Sequence, residues 1–195
     1  MEETNQEKKL PEVEALKEEL ERLRKKQKTG YRLRLILGIL VVVAAAAVLV
    51  STLWVPVLQI NGSSMEPTLN KGEFVLAVKS DDYKTGDLIA FYYNNKILVK
   101  RVIATEGQWV DMSEDGQVYV NSMKLDEPYL TETAYGDCDI TLPYQVPEGR
   151  VFVMGDHRSV SLDSRNTAIG SIAEEQVVGK LFFRIWPLTE LGSVS

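Results

Sequence analysis

The chain has 195 residues with 22 Lys/Arg, 28 Asp/Glu and a formal net charge of −6. That balance argues against a nucleic-acid partner, since phosphate binding requires accumulated positive charge. One histidine and one cysteine leave no ligand cluster for a metal, no intramolecular disulfide and no residue set that asks for a cofactor.

Charge is unevenly distributed along the chain. Residues 1–34 carry ten Lys/Arg against eight Asp/Glu. Within them Val13, Leu16, Leu20 and Leu23 recur at helical spacing among charged residues, which predicts a charged amphipathic helix. Residues 35–58, LILGILVVVAAAAVLVSTLWVPVL, carry no charge at all. At 1.5 Å per residue, about 20 apolar residues cross a hydrocarbon core, so this run predicts a transmembrane anchor. Trp54 suits the lipid–water interface and Pro56 ends the helix. The basic residues Arg22, Arg24, Lys25, Lys26, Lys28, Arg32 and Arg34 precede the run. By the positive-inside rule the N-terminus is cytoplasmic, and the chain beyond residue 58 lies outside a cell membrane crossed once. Ala44–Ala47 offers the competing reading of a cleaved secretory signal. The basic lead of over thirty residues and the length of the apolar run favour an uncleaved anchor.

Beyond the anchor, short apolar and β-branched runs alternate with turn residues. EFVLAVK (73–79), DLIAFYY (87–93), KILVKRVIA (96–104), QVYV (117–120), RVFVM (150–154) and QVVGKLFFRIW (176–186) read as strands. Tyr93-Asn-Asn-Lys96 reads as a tight hairpin between the second and third. The expected fold is mainly β: an antiparallel body (59–104 and 146–195) carrying a smaller inserted β subdomain (105–145), behind one membrane helix. Segment 59–195, with twelve Lys/Arg against twenty Asp/Glu, is acidic.

Three stretches could carry chemistry. In NGSSMEPTL (61–69), Gly62 permits close approach of a substrate and Pro67 stiffens the exit. Ser64 could be a nucleophile if a base takes its proton, but serine is also an ordinary turn residue. The base could be His157, the one histidine, or Lys100. Alternation along 96–104 sets Leu98, Lys100 and Val102 on one face and Ile97, Val99, Arg101 and Ile103 on the other, so at least one basic side chain enters an aliphatic face. Burial lowers a lysine pKa and would make Lys100 a base near neutral pH, whereas arginine stays protonated. A lysine snorkelling from a strand edge is the structural alternative. In GDHRSVSLDSRN (155–166), Asp163 and Arg165 could pair and brace a polar loop.

Taken in order behind an apolar anchor, SMEPTL (64–69), LVKRVIA (98–104) and GDHRSVSLDSR (155–165) resemble the motifs of type I signal peptidase. This is the membrane-anchored Ser–Lys serine protease that removes signal peptides from exported proteins. The resemblance covers roughly residues 35 to 186. It implies Ser64 as nucleophile, Lys100 as general base and Ser161 orienting the lysine amine. Asp163 and Arg165 would be a supporting salt bridge, and Asp156 a further supporting acid. It also implies preprotein signal peptides as substrates, membrane lipid and the secretion machinery as neighbours, and a fold that is largely antiparallel β. Two departures stand out. His157 occupies a place that usually holds Asn, and Gly62 occupies a place where some members carry a serine that helps to stabilise the oxyanion. Here the Ser64 N–H would do more of that work, with Ser63 as a candidate helper. About ten residues separate the end of the anchor from Ser64, so at ~3.3–3.6 Å each the hydroxyl lies within ~35 Å of the bilayer surface.

Overall fold

The structure is a computed structural model that describes residues 13–194, with the side chains of residues 13–16, 23, 25–29, 33 and 50–54 outside the described set. Helix α1 spans Val13–Trp54. Its segment Gly30–Leu49 is long and apolar enough to cross a membrane by length and composition. Leu35–Leu37 and Ile39–Val43 all stand exposed on it, and a helix apolar all round needs lipid or another apolar partner to cover it. The expected stripe through Val13, Leu16 and Leu23 and the interfacial role of Trp54 lie outside the described residues. The apolar run outlasts the helix. Pro56 follows the helix end, and Val57 and Leu58 pair as a strand instead.

The rest is built from twelve strands: β1 (Val57–Gln59), β2 (Phe74–Val78), β3 (Leu88–Tyr93), β4 (Lys96–Ala104), β5 (Trp109–Met112), β6 (Val118–Val120), β7 (Met123–Lys124), β8 (Tyr144–Gln145), β9 (Arg150–Met154), β10 (Ile172–Ala173), β11 (Val177–Trp186) and β12 (Gly192–Ser193). Eight form one antiparallel sheet in the order β1-β2-β11-β3-β4-β9-β10, with β12 paired to β11. The other four make a second sheet, β7-β6-β5-β8. The fold is thus mainly antiparallel β, as the alternating pattern predicts. The strands that the sequence hid are short. β1, β5, β7, β8, β10 and β12 have two to four residues each, too few to stand out as a run of period two.

The β3–β4 hairpin closes at Tyr93 and Lys96. Asn94 and Asn95 both have positive φ, 44° and 61°, as a two-residue turn matching the twist of its strands demands, and asparagine tolerates this better than most residues. β4 and β9 are neighbours in the large sheet, so the whole second sheet is looped out between two paired strands. Three apolar clusters hold the body. One gathers Ile60, Met65, Leu69, Val75, Leu88 and Leu181. A second joins Ile103, Phe152 and Met154 of the large sheet to Val110, Val118 and Val120 of the small one. The third lies around Ile89, Phe91, Val102 and Val153. Met65 and Leu69 are 2% and 0% exposed, which pins the loop carrying Ser64 at both ends of SMEPTL.

Candidate active site

Ser64 sits in a turn closed by Glu66 N–H donating to Ser63 O, with Leu69 N–H donating to Met65 O just beyond. Buried Met65 and Leu69 anchor this turn, leaving Gly62 and Ser63 exposed and Ser64 half-buried. Lys100 rises from β4, the strand that alternation placed it on, and its Nζ donates to Ser64 Oγ at 2.6 Å. Lys100 is only 3% exposed. Its pKa is lowered to about 8, above all because burial strips its hydration; Asp163 opposes that shift, Arg165 adds to it and Asp156 opposes it. A lysine in that range is a usable base near neutral pH, and it lies within proton-transfer distance of a hydroxyl.

Both basic residues of the Lys100–Arg101 pair are buried, where alternation required only one. Arg101 is held by Asp156 through two bonds, Nε to Oδ1 at 2.9 Å and Nη2 to Oδ2 at 2.7 Å, while Nη1 donates to Gly86 O at 2.8 Å. Thr68, on the Ser64 turn, donates to the same carboxylate at 2.5 Å. A guanidinium cannot shed its charge, so a buried one must be paired; Asp156 meets that requirement and ties the turn to β4.

The loop after β9 packs against Ser64 from another side. His157 N–H donates to Ser64 O at 3.0 Å. A Cβ placed on Gly155 would stand 2.2 Å from Ser161 Oγ and 2.5 Å from Ser64 O, so only glycine allows the approach. Asp163 and Arg165 form a buried bidentate pair at 2.8 and 2.9 Å. Asp163 Oδ2 also accepts from Gly155 N–H at 3.0 Å, and Arg165 donates to the carbonyls of Arg158 and Tyr135. This one ion pair therefore shapes the loop from Gly155 to Arg165.

Ser161 is buried at this same junction, and its hydroxyl has no hydrogen-bond partner among the described residues; the lysine amine bonds to Ser64 instead. The His157 imidazole makes no described hydrogen bond to Ser64: its Nδ1 is buried without a partner, and the bond to Ser64 comes from the His157 backbone N–H. At Gly62 the φ is not positive and an added Cβ would meet nothing nearer than Ser64 N at 4.0 Å. Glycine is therefore not demanded there by space. Among the described residues no group of three or more His, Cys, Asp or Glu could hold a metal.

Thr68, Arg158, Glu127 and Tyr129 had no role in the sequence reading. Arg158 lies inside the third motif, and its position in a polar loop gave no sign of burial. Glu127 and Tyr129 belong to an acidic, turn-rich stretch without periodicity, so no sequence signal distinguished them.

The sequence model of the family described as signal peptidase, peptidase S26, matches residues 32–186. Signal peptidase IB of Staphylococcus aureus is 44% identical over 153 residues, which cover 67% of this chain and 78% of that protein. Thylakoidal processing peptidase 1 of Arabidopsis thaliana, a chloroplastic protein, is 34% identical over 150 residues, 68% of this chain and 42% of that one. A crystal structure of a signal peptidase I from Enterococcus faecalis V583 superposes with a TM-score of 0.44 at 30% identity, covering 51% of this chain and 96% of that one.

Proposed function

The chain belongs to the signal peptidase family, peptidase S26, and is a serine peptidase of the signal peptidase I type; on that premise we propose that Ser64 is its nucleophile and Lys100 the general base. The observation that carries this reading is the 2.6 Å contact between Nζ and Oγ made by a buried lysine. As an ammonium, Nζ donates this bond. The neutral amine would accept the hydroxyl proton over the same distance as Oγ attacks the carbonyl carbon at the cleavage junction. The resulting ammonium then protonates the departing amine, leaving an acyl-enzyme on Ser64. Lys100, neutral again, draws a proton from the water that hydrolyses the ester. The Ser64 N–H, at the start of the turn that buries Met65, is the oxyanion donor we assign, with Gly62 and Ser63 forming the rim. Asp163–Arg165 and Asp156–Arg101 keep loop and strand in register, and Ser161, buried beside Gly155 and the Ser64 backbone, is the group assigned to orient the ammonium.

The substrate of a signal peptidase is the signal peptide of a preprotein, an extended segment at its cleavage junction. β4 supports a strand-addition mode. It pairs β3 over Lys96–Arg101 but β9 only from Arg101 onward, so one edge of Lys96–Lys100 has no ladder partner among the described residues. We assign the apolar part of α1, which ends at Trp54 rather than at the expected residue 58 because Val57 and Leu58 join β1, as the anchor of a single-pass cell-membrane protein with residues 1–34 cytoplasmic. Residues 59–104 and 146–195 form the extracytoplasmic catalytic body and 105–145 its inserted subdomain. Substrate and enzyme would then share one bilayer, with lipid and the secretion machinery as neighbours. The test is cleavage of a preprotein by the full chain in detergent. Ser64→Ala and Lys100→Ala should each lower kcat by about 10³-fold or more while the fold is kept, and His157→Asn should stay active. Retained activity in Lys100→Ala, or its loss in His157→Asn, would overturn the dyad.

A further inference from the structure

Away from the Ser64–Lys100 contact, a further buried ion pair lies where the segment after β7 meets the loop after β9. Arg158 is fully buried, with its side chain 0% exposed, and its carboxylate partner is Glu127, itself 5% exposed. Glu127 accepts from both Nη1 and Nη2 of Arg158. The remaining nitrogen, Nε, donates to Gly155 O at 3.0 Å. Gly155 is the residue packed on the Ser64 carbonyl, and His157 two positions on donates to that carbonyl. The same Glu127 also accepts the Tyr129 hydroxyl at 2.8 Å, and the Tyr129 ring covers the Arg101 guanidinium at 3.8 Å. Burial, and then Glu127, push the Tyr129 pKa up, so the hydroxyl stays a donor across the working pH range.

We infer that Glu127, carried by the inserted segment, is a positioning residue for hydrolysis: through Arg158 it fixes the Gly155–His157 backbone against Ser64, and through Tyr129 it clamps Arg101 beside Lys100. This inference rests on the Ser64–Lys100 reading. The reasoning is one of charge. Arg158 cannot neutralise itself, so without Glu127 it must either leave its buried site or admit water there. Either response moves Gly155, and with it the packing that keeps Lys100 dry. A single carboxylate thus bears on both flanks of the dyad while its own described bonds go to Arg158 and Tyr129.

The experiment uses the full chain in detergent micelles, with Glu127→Gln, Glu127→Asp and Tyr129→Phe. For Glu127→Gln, kcat should fall about tenfold or more with KM held within about twofold, as misplacement of a reacting group predicts. Its pH profile of kcat/KM should have an acid limb moved up by roughly half a unit or more, because hydration returns Lys100 towards its ordinary pKa. Amide exchange at His157 should rise about tenfold. Glu127→Asp should recover part of each effect, and Tyr129→Phe should show the limb shift with a smaller change in exchange. An unmoved limb overturns the inference, whether activity is unchanged or uniformly reduced, the latter being what a loss of folded protein gives. Unchanged His157 exchange overturns it too. Should Glu127→Gln not fold, the other two variants are read against the same criteria. Exchange at His157 needs no catalysis, so it separates failure of this inference from failure of the dyad, which Lys100→Ala reports on its own.

Discussion

Lys100 is unusual in being buried without a carboxylate in direct contact; its one described bond goes to a neutral hydroxyl. Its pKa, lowered to about 8 chiefly by desolvation, has two consequences. The acid limb of kcat/KM should lie near pH 8, since activity follows the neutral amine, and a titration of rate against pH reads it directly. The second concerns stability. The folded pKa lies below the unfolded value, so burying the ammonium weakens the fold at and below pH 8, and that cost disappears as pH rises towards about 10.4. Lys100→Met, which the proposed dyad requires to be inactive, should therefore be more stable than the natural chain by about 2–3 kcal/mol near pH 7, an advantage that shrinks above pH 8. Denaturant unfolding at pH 7 and pH 10 checks both sign and slope; an advantage that grew with pH would reject the buried-ammonium account. The sequence led to Lys100 because an amine among aliphatics in a strand is conspicuous. It could not show that Arg101, facing the other way, is buried too, since its partner Asp156 lies far along the chain.

At the scale of elements, the site depends on loops held against the sheet by ion pairs. Gly155 is where β9 gives way to the loop that contacts Ser64. Any Cβ there would overlap Ser161 Oγ, Ser161 Cβ and Ser64 O at 2.2–2.6 Å, and the Ser64 backbone is not a flexible neighbour that can swing aside. Gly155→Ala should cost about 1–3 kcal/mol in stability, as overpacking does. It should also lower kcat by about 10²-fold by displacing the Ser64 turn. Thermal unfolding and single-turnover cleavage measure the two effects, and wild-type rates would show that the close approach is dispensable. The β3–β4 hairpin was legible because two asparagines between alternating runs admit few other turns. β5 and β8 were not, because they pair with each other across more than thirty positions of sequence.

At the scale of the whole molecule, the chain divides into two compact units at Val50 and Ser51, one bearing the apolar helix and the other bearing Ser64 and Lys100. If the helix serves to hold the enzyme in its substrate's bilayer, a chain starting at Ser51 should cleave a water-soluble signal-sequence peptide with kcat/KM within about threefold of the full chain. It should process a preprotein embedded in vesicles about tenfold or more slowly, because the shared surface no longer raises effective concentration. Equal rates on both substrates would remove the anchor from the mechanism. The sequence by itself determined the apolar span, the β character of the body and the candidates Ser64 and Lys100, since hydrophobic periodicity, turn chemistry and local motifs are written in neighbouring residues. Only the tertiary structure decided that the lysine rather than the histidine reaches Ser64 Oγ. It alone showed that Arg101 and Arg158 are buried, and that Glu127 and Tyr129 of the inserted segment close around them. The reason is physical: a buried charge is tolerated only beside its counter-charge, and which distant residues supply that partner is settled when the sheets pack, not by the order of residues along the chain.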